Sequence, residues 1–290
     1  SEINNFVGSF ANYAYLGRII PTNYAFGRTV VNGLSAGSLS NDQIGWETSV
    51  QFELGMDLSL WSGRANVTAD YYNKETIDLL IGDYPIPYTS GFSNTFLNVG
   101  RLRNRGVELT LNTVNVDRAF KWKTDFNVAY NRNRVVDLGE NVRFIPSGNS
   151  ITRVGEPTGS FFGWQTEGIF QNQAEINAAA VQNGNRTNTR PGDVRFRDVD
   201  NSGVIDANDR VVIGSPHPDW IFGMTNTFSY RGLDLSVFLN GVQGNEVHNN
   251  TRERLEVLTG VANATVATLS RWTSEQNPGN GTMPRATTQD

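Results

Sequence analysis

The sequence predicts an all-β fold: an antiparallel transmembrane β-barrel portion carrying long extracellular loops. Three observations point there. Apolar residues recur at every second position over segments of about ten residues, so each segment has one apolar and one polar face. The segments come in pairs joined by short turns. Long polar stretches separate one pair from the next, and short turns at one end with long loops at the other are the pattern of outer-membrane barrels.

Taken in order, Ser9–Leu16 is a candidate strand, and residues 18–46 read as a Gly-, Ser- and Asn-rich loop. In the segment 47–60, Val50, Phe52, Leu54, Met56 and Leu58 alternate with Gln51, Glu53, Gly55 and Asp57. After Trp61-Ser62-Gly63, the segment 64–75 alternates again through Ala65, Val67, Ala69 and Tyr71. A loop with Pro85, Pro87 and Gly91 follows, then strands over 103–114 and 119–132. Residues 133–218 read as a long outer insertion holding an apolar-aromatic piece, Phe161–Phe170, and a helix-like patch, Ala174–Val181. The last hairpin covers 219–242 around Arg231-Gly232, and a polar tail runs through Asp290.

Parity constrains the loops. With every short turn on the periplasmic side, segments 75–102, 133–218 and 243–290 all lie outside, and Phe161–Phe170 cannot be a lone extra span. Phe52, Leu54, Val67, Leu109, Phe126, Leu235 and Val237 are expected to face lipid, with Leu54 at mid-strand. The polar partners Gln51, Glu53, Asp57, Asn66, Thr68, Asp70, Glu108, Thr110 and Asn112 are expected to face the lumen. Trp46, Trp61, Tyr71, Tyr72, Trp122, Tyr130, Trp220 and Tyr230 lie near strand ends, where amphipathic rings favour the headgroup zone.

Composition agrees. Of 290 residues only 38% are hydrophobic, low for an ordinary core of this size but natural for a barrel whose inner face is polar. No run approaches the roughly eighteen apolar residues that a membrane-spanning helix needs. A net charge of −5 gives no basic stripe for nucleic acid, and the absence of cysteine excludes disulfides and thiolate chemistry. Ser1 begins without a signal peptide, and the chain stops in the polar stretch Thr287-Thr288-Gln289-Asp290, so it is read as a fragment of a longer chain.

The sharpest chemical motif is Asp198-Val199-Asp200-Asn201-Ser202-Gly203-Val204-Ile205-Asp206-Ala207-Asn208-Asp209. It matches a calcium-loop pattern, with Asp198, Asp200, Ser202, the Val204 carbonyl, Asp206 and Asp209 as ligands and Gly203 at the bend. A structural Ca2+ is expected; the competing reading is an acidic turn closed by side-chain to backbone hydrogen bonds. No catalytic residues are expected. His217, between two prolines, and His248, in an Asn-rich loop, lack both a nucleophile and metal-ligand spacing. Arg101, Arg103, Arg105 and Arg153 could meet acidic ligands or lipopolysaccharide phosphates, against the simpler reading of solvated rim charge.

Several phrases in fixed order resemble the SusC/RagA family of TonB-dependent transporters. They are Trp46-Glu47, Asp70-Tyr71-Tyr72 with Thr76 and Leu79-Leu80, Asn98-Val99-Gly100, and Asn104-Arg105-Gly106-Val107-Glu108-Leu109. Pro191-Gly192-Asp193, Asp198–Asp209, Ile213-Gly214 with Pro216 and Pro218-Asp219, and Arg271-Trp272-Thr273 continue the series, from about residue 40 to residue 284. The resemblance implies a 22-stranded barrel of which residues 1–290 are part, with the plug domain, TonB box and closing strands lying outside this sequence. It implies a multi-pass protein of the bacterial outer membrane that imports oligosaccharides or peptides, energised by TonB and capped by a SusD-like surface lipoprotein. The alternative is a soluble calcium-stabilised β-sandwich, a binding or adhesion module whose apolar face would meet a second sheet.

Overall fold

The computed structural model describes residues 15–140, 142–258 and 263–287. The candidate strand Ser9–Leu16 lies almost wholly outside them; Tyr15 and Leu16 form a turn. The elements in chain order are β1 (Ile19–Phe26), β2 (Thr29–Ala36), β3 (Thr48–Leu60), β4 (Ala65–Ile77), β5 (Leu80–Pro85), β6 (Asn94–Asn98), β7 (Arg101–Asp117) and β8 (Phe120–Asp137). They continue with β9 (Phe144–Ser147), β10 (Ser150–Arg153), β11 (Ser160–Trp164), β12 (Thr166–Ile169), α1 (Gln173–Ala178), β13 (Val194–Phe196), β14 (Arg210–Gly214), β15 (Trp220–Tyr230), β16 (Leu233–Gln243) and α2 (Asn250–Glu256).

Six long strands form one antiparallel sheet in the order β16-β15-β8-β7-β4-β3, an up-and-down meander to whose outer edges no further strand pairs among the described residues. Its three hairpins turn through residues 61–64, 118–119 and 231–232, all at the same end. Arg231 and Gly232 both have positive φ (51° and 83°), as a two-residue primed turn requires. The expected strand pairs are therefore present, but β7 and β8 run further outward than alternation alone indicated. The long insertion leaves the sheet at residue 138, not 133, because polar Asn133 and Arg134 still pair with Asn104 and Arg103.

Register settles the faces. Leu58, Val67, Leu111, Phe126, Met224 and Leu239 form one continuous cross-strand row, and Met56, Ala69, Leu109, Val128 and Phe222 form the next row on that face. All seven residues expected toward lipid share it, and β3 displays Leu54 there at 65% exposure. A sandwich would bury that face, so the soluble alternative is set aside.

Aromatic rings bound the apolar band. Phe120, Trp122, Phe228 and Tyr230 gather at the short-turn end, where Phe228 stacks on Phe120 (6.2 Å) and Trp122 (5.9 Å). At the loop end Tyr71, Val107, Tyr130 and Trp220 share one row, with Tyr130 and Trp220 rings 4.8 Å apart. Ten residue steps from Phe120 to Tyr130 span about 33 Å along the strand, or about 25 Å along the membrane normal at barrel tilt. Leu54 stands in this upper aromatic row, opposite Tyr71. It is the middle of β3 but not the middle of the band, which lies at Leu111 and Phe126. Tyr72 also departs from expectation: it is on the inner face and anchors no headgroup.

The segments read as loops carry structure. Residues 19–36 form the β1–β2 hairpin around Gly27 (φ 59°), the Pro and Gly content having masked its alternation. Residues 78–100 hold the β5–β6 pair. Ile81, Tyr84, Val135, Leu138 and Ile145 make a buried cluster there, backed by Leu97, Val99 and Leu102. Among the described residues the apolar core thus belongs to the loop end of this unit, since the spanning strands use lipid as their apolar partner. Phe161–Phe170 divides into β11, paired with β14, and β12, paired with β13. The helix-like patch is realised as the short α1, capped by Asn172.

The chain divides into two compact units, 1–159 with 217–245 and 160–216 with 246–290. In the second, the polar tail is folded back: Met283 and Thr268 are buried, and the Arg285 guanidinium bonds Asp193 at 2.7 Å. No helix among the described residues is long and apolar enough to cross a membrane.

Candidate functional site

The inner face of the sheet is a wall of small and medium polar side chains. Gln51, Glu53, Asp57, Asn66, Thr68, Asp70, Glu108, Thr110 and Asn112 all lie on it by register. Neighbours satisfy one another laterally: Thr68 donates to Asp57 at 2.7 Å, Asn112 to Asp125 at 2.7 Å, and Ser59 to Asn66 at 2.8 Å. Short side chains braced in this way leave the wall flat and wettable. None of them forms a nucleophile–base pair.

Two glycines show why certain phrases occur. Gly106 faces the Tyr72 ring, and a Cβ there would overlap the Tyr72 hydroxyl and the Tyr130 carbonyl oxygen. The Tyr72 hydroxyl passes over this glycine to donate to Asn131 at 3.0 Å on β8. The tyrosine of Asp70-Tyr71-Tyr72 and the glycine of Asn104–Leu109 therefore form one joint across three strands. In the second unit Gly192 (φ 92°) lies under the Trp272 ring, joining Pro191-Gly192-Asp193 to Arg271-Trp272-Thr273.

A polar clamp closes the mouth of the long insertion. Asn133 donates to Asn104 (2.8 Å) and accepts from the Thr158 amide (2.9 Å). The Thr158 hydroxyl meets His217 Nε2 at 2.9 Å. This chain ties the start of the insertion to its end, and it gives His217, held between Pro216 and Pro218, a structural partner. His248 lies 2.9 Å from Glu253.

The acidic loop brings together three of its six expected ligands. Carboxylate oxygens of Asp198, Asp200 and Asp209 lie within 4.8 Å of one another. Asp198 also accepts from the amides of Ser202 (3.1 Å) and Gly203 (2.8 Å), and Asp200 from Ser202 (3.0 Å). Ser202 turns its hydroxyl onto the Val204 carbonyl at 2.9 Å, so these two expected ligands engage each other. Asp206 caps the turn at 207–209 by accepting from the Asn208 amide at 2.7 Å and stands outside the cluster.

Asp209 is fully buried and takes amide hydrogen bonds from Val199 (2.8 Å) and Asp206 (2.7 Å). Those amides, Asp206 foremost, hold its carboxyl below the usual carboxylate range, against the opposing effect of burial. A groove of about 490 Å³ lined by Gln165, Glu167, Arg197, Asp198 and Asn201 leaves the Asp198 side of the loop open to solvent. Alternation and spacing could not show this division of labour, because the sequence pattern does not say which oxygens the backbone claims.

An antiparallel meander with an apolar, aromatic-bounded outer face, a polar inner face and all short turns at one end defines a segment of an outer-membrane β-barrel. The family model "TonB dependent receptor-like, beta-barrel" matches residues 4–237. The chain belongs to this TonB-dependent receptor family. It is 36% identical over 283 residues to TonB-dependent receptor P26 of Formosa agariphila, covering 94% of this chain and 28% of that protein. Against TonB-dependent receptor SusC of Bacteroides thetaiotaomicron identity is 25% over 256 residues, covering 82% of this chain and 24% of that protein. The fold superposes on a solved structure of the RagAB peptide transporter with a TM-score of 0.75 at 24% identity, covering 98% of this chain and 30% of that chain. The chain spans about a quarter of the length of the curated relatives it matches. These relatives are receptors rather than enzymes, and the family resides in the outer membrane.

Proposed function

We propose that the protein to which this segment belongs imports bulky oligomeric nutrients, oligosaccharides or peptides, across the outer membrane with energy delivered through TonB. The observation that carries the reading is the asymmetry of the sheet. Turns of two to four residues close one end, whereas at the other end the strands enter long loops with their own apolar core and a clamped insertion. Loops of that size exceed what hairpin closure needs and belong to function. Small solutes diffuse through open pores, so an energised barrel is useful for cargo too large or too scarce for that route. The names of the relatives, SusC and the RagAB peptide transporter, favour the same class of activity.

In this reading the outer loops form the rim on which a SusD-like lipoprotein closes. Purification of the full-length protein from native membranes should recover such a lipoprotein, and shortening residues 160–213 should abolish both its capture and uptake. Recovery of the barrel alone with undiminished uptake would remove the lid from the model.

The acidic loop is assigned a structural Ca2+. Asp198, Asp200 and Asp209 would hold the ion, whose charge would offset three converging carboxylates; Ser202, the Val204 carbonyl and Asp206 would join only after local rearrangement. Calorimetry on the full-length protein should show binding lost in Asp198→Ala. The absence of any calcium-dependent heat, or of calcium-dependent protection of the loop from protease, sinks the assignment and leaves a hydrogen-bonded acidic turn.

A further inference from the structure

Register places two pairs of arginines directly opposite one another on the outer face of β7 and β8: Arg105 across from Arg132, and Arg103 across from Arg134. They continue the lipid-facing rows, one and two side-chain steps beyond the Val107–Tyr130 pair that ends the apolar band. One such step is about 7 Å along the strand, so the guanidinium groups stand in the headgroup layer just above the hydrocarbon.

Like charges directly opposite in an antiparallel pair, with Cβ atoms about 5 Å apart, repel and destabilise the sheet unless a counter-charge sits between them. Glu75 serves Arg103, accepting from its Nε at 2.7 Å. Arg105, Arg132 and Arg134 have no ion pair among the described residues, and all three are exposed. The cross-strand neighbour of Arg105 on its other side is Asn73, which brings no charge. The opposed pair Arg105–Arg132 is thus left without an anion from its own sheet, at a depth where the outer leaflet presents phosphates.

We propose that Arg105, Arg132 and Arg134 form a binding site for the phosphate of an outer-leaflet glycolipid, with the Tyr130–Trp220 ring pair beneath supporting its sugar and upper acyl chains. Arginine suits this role because its planar fork meets phosphate oxygens two at a time, which a point-charge ammonium does not. The site anchors the barrel at a fixed depth and neutralises a repulsion built into two adjacent strands.

The test uses delipidated full-length protein in detergent, titrated with monophosphorylated lipid A, with the same lipid A after removal of its phosphate, and with inorganic phosphate, and read by native mass spectrometry. Charge-assisted hydrogen bonds of this kind correspond to a preference of roughly ten- to a hundredfold for the phosphorylated lipid. R105Q/R132Q should erase the preference, R105K/R132K should retain part of it, and K121Q/K123Q at the opposite end should leave it intact. Equal binding of the two lipids by the unaltered protein overturns the proposal whether or not any variant folds. So does an unchanged preference in a folded R105Q/R132Q protein. Displacement of the lipid by millimolar inorganic phosphate would also overturn it, marking a site for free anions instead.

Discussion

Depth within the bilayer can be read from β7 one side chain at a time. Val107 stands in the aromatic row and Leu111 four residues further toward the short turn, on the same face. Four residues advance about 13 Å along the strand and about 10 Å along the normal at barrel tilt, which puts Leu111 close to the middle of a band about 25 Å tall. Arginine on a lipid face destabilises a barrel by about 2–4 kcal/mol at the midplane and by about 0–1 kcal/mol at the interface. Leu111→Arg is therefore expected to cost about 2–4 kcal/mol, Val107→Arg less than about 1 kcal/mol, and Leu109→Arg a value between them. Native Arg105 extends the series one step outward. Thr110→Arg, adjacent in sequence but on the inner face, should cost little because the side chain enters a polar, wettable wall. The measurement is urea-dependent refolding of the full-length protein into lipid vesicles, with folded fractions read by heat-modifiable gel migration. Equal costs at 107 and 111 would refute the depth assignment. A cost at Thr110 as large as that at Leu111 would refute the assignment of faces.

Three further outcomes are expected. Leu138→Ala, which empties a site only 2% exposed in the loop-end cluster, should cost about 2–5 kcal/mol locally; limited proteolysis should show cleavage within 78–100 and 138–159 while the barrel strands stay protected. Asn226→Leu removes the acceptor shared by Trp122 Nε1 (2.9 Å) and the Thr124 hydroxyl (2.7 Å) on the outer face. Two donors near lipid are then unpaired, with an expected loss of about 1–3 kcal/mol in the same refolding assay; an unchanged midpoint would mean that water serves them. Acid should open the 198–209 loop. The folded-state pKa of Asp209 is depressed, so its contribution is complete above the ordinary carboxylate value and is lost as pH falls through the folded value. Hydrogen exchange at the Val199 and Asp206 amides, corrected for intrinsic rate, should lose protection over that acid range; protection that persists well below it would show that the carboxylate does not hold the loop.

The alternating rows Val50–Leu58 and Ala65–Tyr71 were sufficient to place strands and to separate an apolar from a polar face, because a period of two is a local property of an extended chain. The turn at Arg231-Gly232 was legible for the same reason, its chemistry being contained in two residues. Order and spacing of short phrases were enough to indicate the family. The hairpin at 19–36 was not legible, since its Pro and Gly residues read as punctuation when only cross-strand pairing shows them inside strands. The acidic loop was legible as a cluster of carboxylates. Which of those carboxylates face one another and which cap the backbone depends on hydrogen bonds that spacing does not specify.

Depth, joints and charge pairing belong to tertiary structure alone. Leu54 looks central within its own strand, yet strands in a tilted, staggered sheet share heights only through register, and register with Tyr71 lifts it to the interface. Tyr72 resembles a headgroup anchor until Gly106, thirty-four residues later, is found beneath its ring. The arginines of β7 read as separate rim charges until the antiparallel ladder sets Arg132 and Arg134 against them. By itself the sequence determined what each strand carries on each face; the ladder determined what stands beside what, because pairing between strands distant in the chain is a cooperative property of the whole sheet.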